Sequence, residues 1–211
     1  MTVRAVVFDF GGVIITPITN KITGLAERHD TDALTMLEIL MGPRHESTDH
    51  AWHRAERGEL AVADIQALIM PVADARGVTL HGDEIDVMFD EQTYDINHQV
   101  LARIDELRGH VQVGLLTNSF REFQPIMDRD IDFARFDVVI DSSNEGVRKP
   151  EPAIYRRTTE ALGVPAESIV YLDDFDHNLG PARAEGWHTI HVTDPDLALA
   201  ELDRVLGAGR P

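Results

Sequence analysis

Five short apolar runs rich in β-branched residues recur along the chain, separated by stretches in which apolar residues follow helical spacing. Runs of this length and composition are typical of parallel strands buried on both faces of a sheet. They occupy residues 3–8, 111–116, 136–140, 169–172 and 189–192. Strands that alternate with helices imply right-handed crossovers. The pattern therefore predicts an α/β fold with a doubly wound, Rossmann-like parallel sheet.

The alternation is interrupted once, between the first and second of these runs. Residues 17–98 contain no convincing strand pattern, and their apolar positions follow helical spacing instead. The segment is too long and too regularly patterned for a loop. We therefore predict an all-helical cap subdomain at residues 17–98, inserted into a core formed by residues 1–16 and 99–211. Trp52, inside this segment, is expected to pack in the interior of the cap.

The composition excludes several classes of protein. The 211 residues carry 19 basic and 37 acidic side chains, a formal net charge of −18 at pH 7. Such a field repels nucleic acid and anionic membranes, so neither is an expected partner. The sequence has no cysteine, which removes disulfides, thiolate metal sites and cysteine nucleophiles. No apolar run approaches the ~20 residues that span a bilayer, and the first apolar block is too short for a signal peptide, so we expect a cytoplasmic protein.

Side chains that carry chemistry follow the ends of the predicted strands. Parallel sheets bind ligands beyond the carboxyl ends of their strands, so these groups are expected to converge at one edge of the sheet. They are Asp9, Gly11 and Gly12 after the first strand, Thr117 and Asn118 at the end of the second, Lys149 beyond the third, and Asp173 and Asp174 after the fourth.

These residue types together fit phosphoryl transfer. Asp9 can attack phosphorus and form an aspartyl-phosphate, which divides one difficult hydrolysis into two easier steps. The glycines let backbone N–H groups approach a phosphoryl oxygen. Thr117 and Asn118 can donate hydrogen bonds to the same oxygens, and Lys149 adds a fixed positive charge. The carboxylates would otherwise repel a phosphate dianion, so Mg²⁺, which prefers oxygen ligands, is the expected cofactor.

Four segments, in this order, resemble the motifs of the haloacid dehalogenase (HAD) superfamily. They are residues 8–13, 116–119, 149–150 and 172–174. The resemblance covers nearly the whole chain, and the insertion after the first motif corresponds to the family's small α-helical cap. Within the superfamily, the chain looks most like small bacterial sugar-phosphate phosphatases and the amino-terminal phosphatase domain of soluble epoxide hydrolases.

The resemblance implies a role for each motif residue. Asp9 would be the nucleophile, and Lys149 would act with it in catalysis. Phosphate would be bound by Phe10, Gly11, Thr117, Asn118 and Lys149. Mg²⁺ would be held by a carboxylate oxygen of Asp9, the backbone carbonyl of Gly11 and Asp174, with Asp173 acting through water or from behind these ligands.

The chain departs from the family pattern at one position. The usual phosphatase motif has a second aspartate, the general acid and base, two residues after the nucleophile, where this chain has Gly11. A well-placed proton donor contributes about 10²–10⁴-fold in rate. The candidates for a replacement are four residues of the predicted cap, whose default interpretation is polar surface: His45, Asp49, His50 and His53.

The function expected from these observations is Mg²⁺-dependent hydrolysis of a small organic phosphomonoester, with a sugar phosphate as one candidate. A 2-haloacid dehalogenase or a phosphomutase of the same fold is an alternative. Metal-free attack on carbon, however, gains nothing from Asp173 and Asp174. A catalytically weak phospho-ligand-binding or regulatory protein is a further alternative, because of Gly11. We expect a small phosphorylated metabolite as the partner, and a monomer or a homodimer.

Overall fold

The computed structural model describes residues 2–86 and 94–207. Its sheet has five parallel strands in the order β3-β2-β1-β4-β5. The predicted doubly wound α/β fold is confirmed. The strands are β1 (Ala5–Phe8), β2 (Gln112–Thr117), β3 (Val138–Asp141), β4 (Ile169–Asp173) and β5 (His188–His191).

The sheet is covered by helices on both faces because its strands are apolar on both sides. Alternate residues of β1 enter different hydrophobic clusters: Val6 and Phe8 face one cluster, and Ala5 and Val7 face the other. The first cluster includes α6 (His98–Leu107), α7 (Gln124–Ile131) and α11 (Pro195–Gly207). The second includes α9 (Pro152–Leu162) and α10 (Asp176–Ala184), and the four-residue α8 (Ser142–Glu145) directly follows β3.

Two strands begin two residues later than the apolar pattern predicts. β1 starts at Ala5 rather than at residue 3, and β3 starts at Val138 rather than at residue 136. Phe136 is buried in the core, but its backbone N–H donates to the carbonyl of Phe133 and closes a 3₁₀ turn. The hydrophobic pattern reports burial of a side chain, whereas a strand also needs a partner for its backbone.

The described part of residues 17–98 is helical and forms a separate hydrophobic cluster, which also includes Phe120 of the core. Its helices are α1 (Thr19–Arg28), α2 (Ala33–Met41), α3 (Ala51–Glu56), α4 (Val62–Ala75) and α5 (Gly82–Asp86). Trp52 is buried in this cluster, as expected from the sequence. Residues 87–93 of the predicted cap lie outside the described residues. None of the described helices is both long enough and apolar enough to cross a bilayer.

The two segments that lead into and out of the insertion are paired with each other. The N–H of Asn97 donates to the carbonyl of Ile14 at 2.7 Å, and the N–H of Thr16 donates to the carbonyl of Asp95 at 3.0 Å. An antiparallel bridge joins Ile15 to Ile96 between them. The helices of the insertion therefore leave and rejoin the core at nearly one point.

Candidate active site

The predicted site residues meet at the carboxyl edge of the three central strands. Asp9 directly follows β1, Thr117 is the last residue of β2, and Asp173 is the last residue of β4. Because these strands are parallel neighbours, their ends lie side by side. Carboxylate oxygens of Asp9, Asp173 and Asp174 lie within 4.8 Å of one another. The sequence-based expectation that these groups converge is confirmed.

Asp9 is almost fully buried and is held by two hydrogen-bond donors. Its Oδ1 accepts from the N–H of Phe10 at 2.7 Å and lies 2.8 Å from Nζ of Lys149. Burial raises the pKa of Asp9 well above its usual range, and the nearby charge of Lys149 opposes that rise. Asp173 and Asp174 add to it. A cation beside these carboxylates would favour the charged, nucleophilic form of Asp9.

Lys149 is fully buried, and acceptors surround its ammonium group. Nζ lies 2.8 Å from Asp173 Oδ2, 3.0 Å from the Tyr171 hydroxyl and 3.2 Å from the carbonyl of Leu116, in addition to Asp9. Burial disfavours its charge, but Asp173 and Asp9 outweigh burial and raise the pKa of Lys149. The ammonium group is therefore a fixed positive charge beside the proposed nucleophile, not a mobile one.

Asn118 has a different role from the one its side chain was expected to play. Its Nδ2 donates to the carbonyl of Lys149 at 3.0 Å, and its Oδ1 accepts from the N–H of Lys149 at 2.8 Å. These two bonds fix the backbone of the residue whose side chain reaches Asp9. The amide thus positions Lys149. The phosphate contact predicted for Asn118 stays a prediction.

The two adjacent aspartates differ in how well their oxygens are satisfied. Asp173 accepts from Lys149, Tyr171, Asn178 and the N–H of Phe175. Asp174, in contrast, has a buried Oδ1 without a hydrogen-bond partner. Burial and the charge of Asp173 raise the pKa of Asp174 to about 7.

This difference fits a metal ion in the predicted arrangement. A buried carboxylate oxygen without a partner is costly unless a ligand satisfies it. Asp174 is therefore the direct ligand that the geometry favours, with Asp9 as its neighbour. Asp173 is fully occupied as an acceptor and orients Lys149 and the loop that carries Asp174. A site built of carboxylate oxygens suits Mg²⁺.

The two glycines after the nucleophile have different steric roles. Gly12 has φ +71°, and a Cβ built on it would lie 2.1 Å from Oδ2 of Asp174. Any side chain at position 12 would therefore displace that carboxylate. A Cβ at Gly11, in contrast, would meet no atom within 4 Å. Position 11 has room for the aspartate that the family pattern would place there.

The expectation of polar surface is wrong for His53. Its side chain is buried, and its Nδ1 accepts from the N–H of Thr48 at 3.0 Å. Burial, aided by the charge of Arg148, lowers the pKa of His53 to about 3. His50 is half-buried, and its Nδ1 accepts from the N–H of Trp52 at the start of α3. Burial also lowers the pKa of His50, so the environment of both rings disfavours the imidazolium form that would donate a proton.

Three polar groups at the site were not identified from the sequence. Tyr171 donates to Asp173, and Glu56 of α3 accepts from Nε of Arg148 at 2.5 Å in a buried ion pair. His177 lines the cavity above Asp174, and burial lowers its pKa to about 4. The contact of Tyr171 with Asp173 could have been predicted from the sequence, because residues two apart on a strand lie on the same face and Tyr171 precedes Asp173 by two residues.

A cavity of about 380 Å³ opens above the carboxylates, between the helical insertion and the core. Asp9, Lys149 and Asp174 lie at its polar end. Its volume falls within the range of pockets that hold small organic ligands. The site can therefore admit a substrate larger than a phosphate ion.

A protein-family model for haloacid dehalogenase-like hydrolases matches residues 3–186. The chain belongs to the haloacid dehalogenase-like hydrolase family. This confirms the resemblance drawn from the four motifs. Among curated relatives, it is 28% identical over 97% of its length to acyl-CoA dehydrogenase family member 10 of Mus musculus. It is 45% identical over 36% of its length to bifunctional epoxide hydrolase 2 of Rattus norvegicus. It spans only 19% and 14% of those two proteins.

A relative of similar length is the sesquiterpene phosphatase astK of Aspergillus oryzae, with 26% identity over 98% of both chains. Among solved structures, a predicted HAD-like family hydrolase of Porphyromonas gingivalis matches with a TM-score of 0.71, 18% identity and 98% coverage of both chains. The HAD family enzyme bt-2542 of Bacteroides thetaiotaomicron, in complex with magnesium and inorganic phosphate, matches with a TM-score of 0.62 and 18% identity. That match covers 90% of this chain and 93% of the other. These likenesses establish the fold.

Proposed function

We propose that this hydrolase is a Mg²⁺-dependent phosphatase that cleaves a small organic phosphomonoester through an aspartyl-phosphate on Asp9. The observation that carries the proposal is the cluster of three carboxylates beside the buried ammonium of Lys149. The proposal is supported by the likeness to a sesquiterpene phosphatase and to a structural neighbour that forms a complex with magnesium and inorganic phosphate.

In the first step, a carboxylate oxygen of Asp9 attacks phosphorus, and the bond between phosphorus and the ester oxygen breaks. Mg²⁺ held by Asp9, Asp174 and the Gly11 carbonyl would offset the charge of the carboxylates and of the phosphoryl group. Lys149 stabilises the charge that develops on the phosphoryl oxygens. Thr117 and the N–H groups of Phe10 and Gly11 are the proposed donors to those oxygens.

In the second step, water attacks phosphorus and releases inorganic phosphate with Asp9 restored. The leaving alkoxide of the first step takes up a proton, and the attacking water loses one. With glycine at position 11, no carboxyl group at that position performs either transfer. We therefore expect esters whose leaving groups tolerate negative charge, such as aryl and acyl phosphates, to react faster than primary alkyl esters.

Released phosphate, measured from p-nitrophenyl phosphate with and without Mg²⁺, tests the proposal. Asp9→Asn should remove nearly all turnover, and EDTA should do so reversibly. Asp176→Asn is a matched control, because Asp176 is an exposed carboxylate that pairs with Arg183. Turnover of Asp9→Asn within tenfold of the parent would contradict the mechanism.

The products that are released separate this function from the alternative functions. A 2-haloacid dehalogenase would release chloride from 2-chloropropionate, and it would continue to do so in EDTA. A phosphomutase would move the phosphoryl group to a second hydroxyl instead of releasing phosphate. A binding protein would show one equivalent of phosphate at most. We propose a small phosphorylated metabolite as substrate and either a monomer or a homodimer as the working form.

A further inference from the structure

We propose that the substrate is a phosphate monoester of an apolar alcohol, whose hydrocarbon part lies against the apolar walls of the cavity above Asp9. This inference rests on the proposed phosphatase function and names its substrate class. It starts from the cavity of about 380 Å³, whose polar end holds Asp9, Lys149 and Asp174.

Part of the cavity wall is hydrocarbon and aromatic, and polar side chains line other parts of the cavity. Both the helical insertion and the core contribute to the apolar part. The lining side chains that carry the argument are Ile18, Met41 and Trp52 from the insertion, and Phe120, Phe123 and Ile126 from the core.

The three aromatic rings among these side chains form a continuous wall across the boundary between insertion and core. Trp52 and Phe120 meet edge to face with their centroids 4.9 Å apart, and Phe120 meets Phe123 in the same manner at 5.6 Å. Trp52 and Phe120 are buried, so packing fixes their orientation. A wall of fixed rings offers a substrate apolar contact and few hydrogen bonds.

Two polar side chains of the cavity lining, Glu56 and His53 on the same helix as Trp52, are already bonded within the protein. Glu56 accepts from Trp52 Nε1 at 2.9 Å and from Arg148 Nε at 2.5 Å, while His53 accepts from Thr48. Among these groups, Nη1 of Arg148 is a buried donor without a partner.

The physical chemistry of burial then favours an apolar substrate over a sugar phosphate. Each methylene that moves from water to an apolar wall improves binding by about fourfold. Each sugar hydroxyl buried without a hydrogen-bond partner weakens binding by about tenfold. Against the wall of Trp52, Phe120 and Phe123, a hydrocarbon group is therefore favoured over the sugar that the sequence left as a candidate.

The test compares n-alkyl monophosphates from ethyl to hexyl in the Mg²⁺-loaded enzyme, with glucose 6-phosphate alongside. All of the alkyl esters have similar leaving groups, so chain length is the variable. We expect kcat/KM to rise by about fourfold per methylene, on the order of 10²-fold over the series. A rise of less than threefold, or faster turnover of glucose 6-phosphate than of hexyl phosphate, would overturn the inference.

Binding of n-alkylphosphonates, which are not hydrolysed, keeps this inference separate from the proposed function. Calorimetry on the Mg²⁺-loaded protein should show the same fourfold gain in affinity per methylene. If no ester, including p-nitrophenyl phosphate, releases phosphate, the proposed function fails, and the phosphonate series still decides the inference. A flat phosphonate series overturns the inference even if phosphatase activity is present.

A pair of variants at Ile126 locates the hydrocarbon part. Ile126 is a half-buried side chain of α7 that lines the cavity. Ile126→Asp should reduce the gain per methylene to less than twofold, whereas Ile126→Leu should keep it. Circular dichroism shows whether both variants fold, and the slopes are compared only between folded proteins. An equal gain per methylene in both folded variants would place the alkyl group of the substrate elsewhere and overturn the proposal.

Discussion

Replacing Gly11 with aspartate should increase the rate of this enzyme on poor leaving groups. The position follows the nucleophile by two residues, where the family pattern has a general acid and base. A Cβ at position 11 would meet no atom within 4 Å, and the backbone there is outside the left-handed region. The new carboxyl group therefore has room, and it would line the cavity that already includes Gly11.

The expected gain follows from what a positioned proton donor contributes. General acid–base catalysis is worth about 10²–10⁴-fold, or about 3–5 kcal/mol of transition-state free energy. The nearby carboxylates of Asp9, Asp173 and Asp174 would raise the pKa of the introduced group and keep part of it protonated at neutral pH. We expect at least a tenfold increase in kcat/KM for hexyl phosphate and little change for p-nitrophenyl phosphate.

The assay is phosphate release from both esters by Gly11→Asp, Gly11→Asn and the parent. Asparagine has nearly the same size but cannot donate a proton as an acid, so Gly11→Asn should gain nothing. An equal gain in both variants would show that the effect is steric. No gain in a folded, Mg²⁺-binding Gly11→Asp would refute the view that a missing proton donor limits this site.

Three further predictions concern stability, positioning and pH. Glu56→Gln leaves the charge of Arg148 buried and should lower the free energy of unfolding, measured in urea, by about 3–5 kcal/mol. Adding Arg148→Met to this variant should restore much of the loss. A loss below about 1 kcal/mol for Glu56→Gln would contradict this. Tyr171→Phe removes a donor to Asp173 and should lower kcat by about tenfold with KM nearly unchanged; kcat within twofold of the parent would refute the role. Asp174, whose pKa is raised to about 7, binds a proton more tightly in the folded protein than in the unfolded chain. The free energy of unfolding of the metal-free protein should therefore fall as pH rises from about 4 to 7, and Asp174 should account for about 4 kcal/mol of that fall. Mg²⁺ should raise Tm more at pH 8 than at pH 6. Asp174→Asn should weaken both effects.

The fold and the catalytic cluster were predictable from the sequence because both depend on local signals. A buried strand shows itself by its apolar run, and the residue after it lies at the carboxyl edge by topology. The positions of Asp9 and Asp174 at that edge could be predicted from these two signals alone. The family pattern added the order of the motifs and the meaning of the glycine at position 11.

The interactions that were missed depend on groups far apart in sequence. Glu56 and Arg148 are 92 residues apart, and nothing in either local pattern indicates that they pair. The same holds for Asn118 and Lys149, since nothing in either local pattern indicates that the Asn118 amide holds the backbone of Lys149. His53 looked like polar surface because a short polar segment conceals which of its side chains turns inward. The pairing of Glu56 with Arg148 follows from how the insertion packs on the core.

The pairing of residues 14–16 with residues 95–97 makes the core largely independent of what is inserted between them. Hydrogen bonds close the insertion at its base, so the insertion is joined to the sheet through a narrow stem, residues 14–16 and 95–97. The entropy of closing such an excursion grows only slowly with its length. Insertions of other lengths and shapes could therefore be grafted onto this stem at small cost to the sheet. The site residues at the strand ends would stay with the core, while the part of the cavity wall that the insertion supplies would be exchanged.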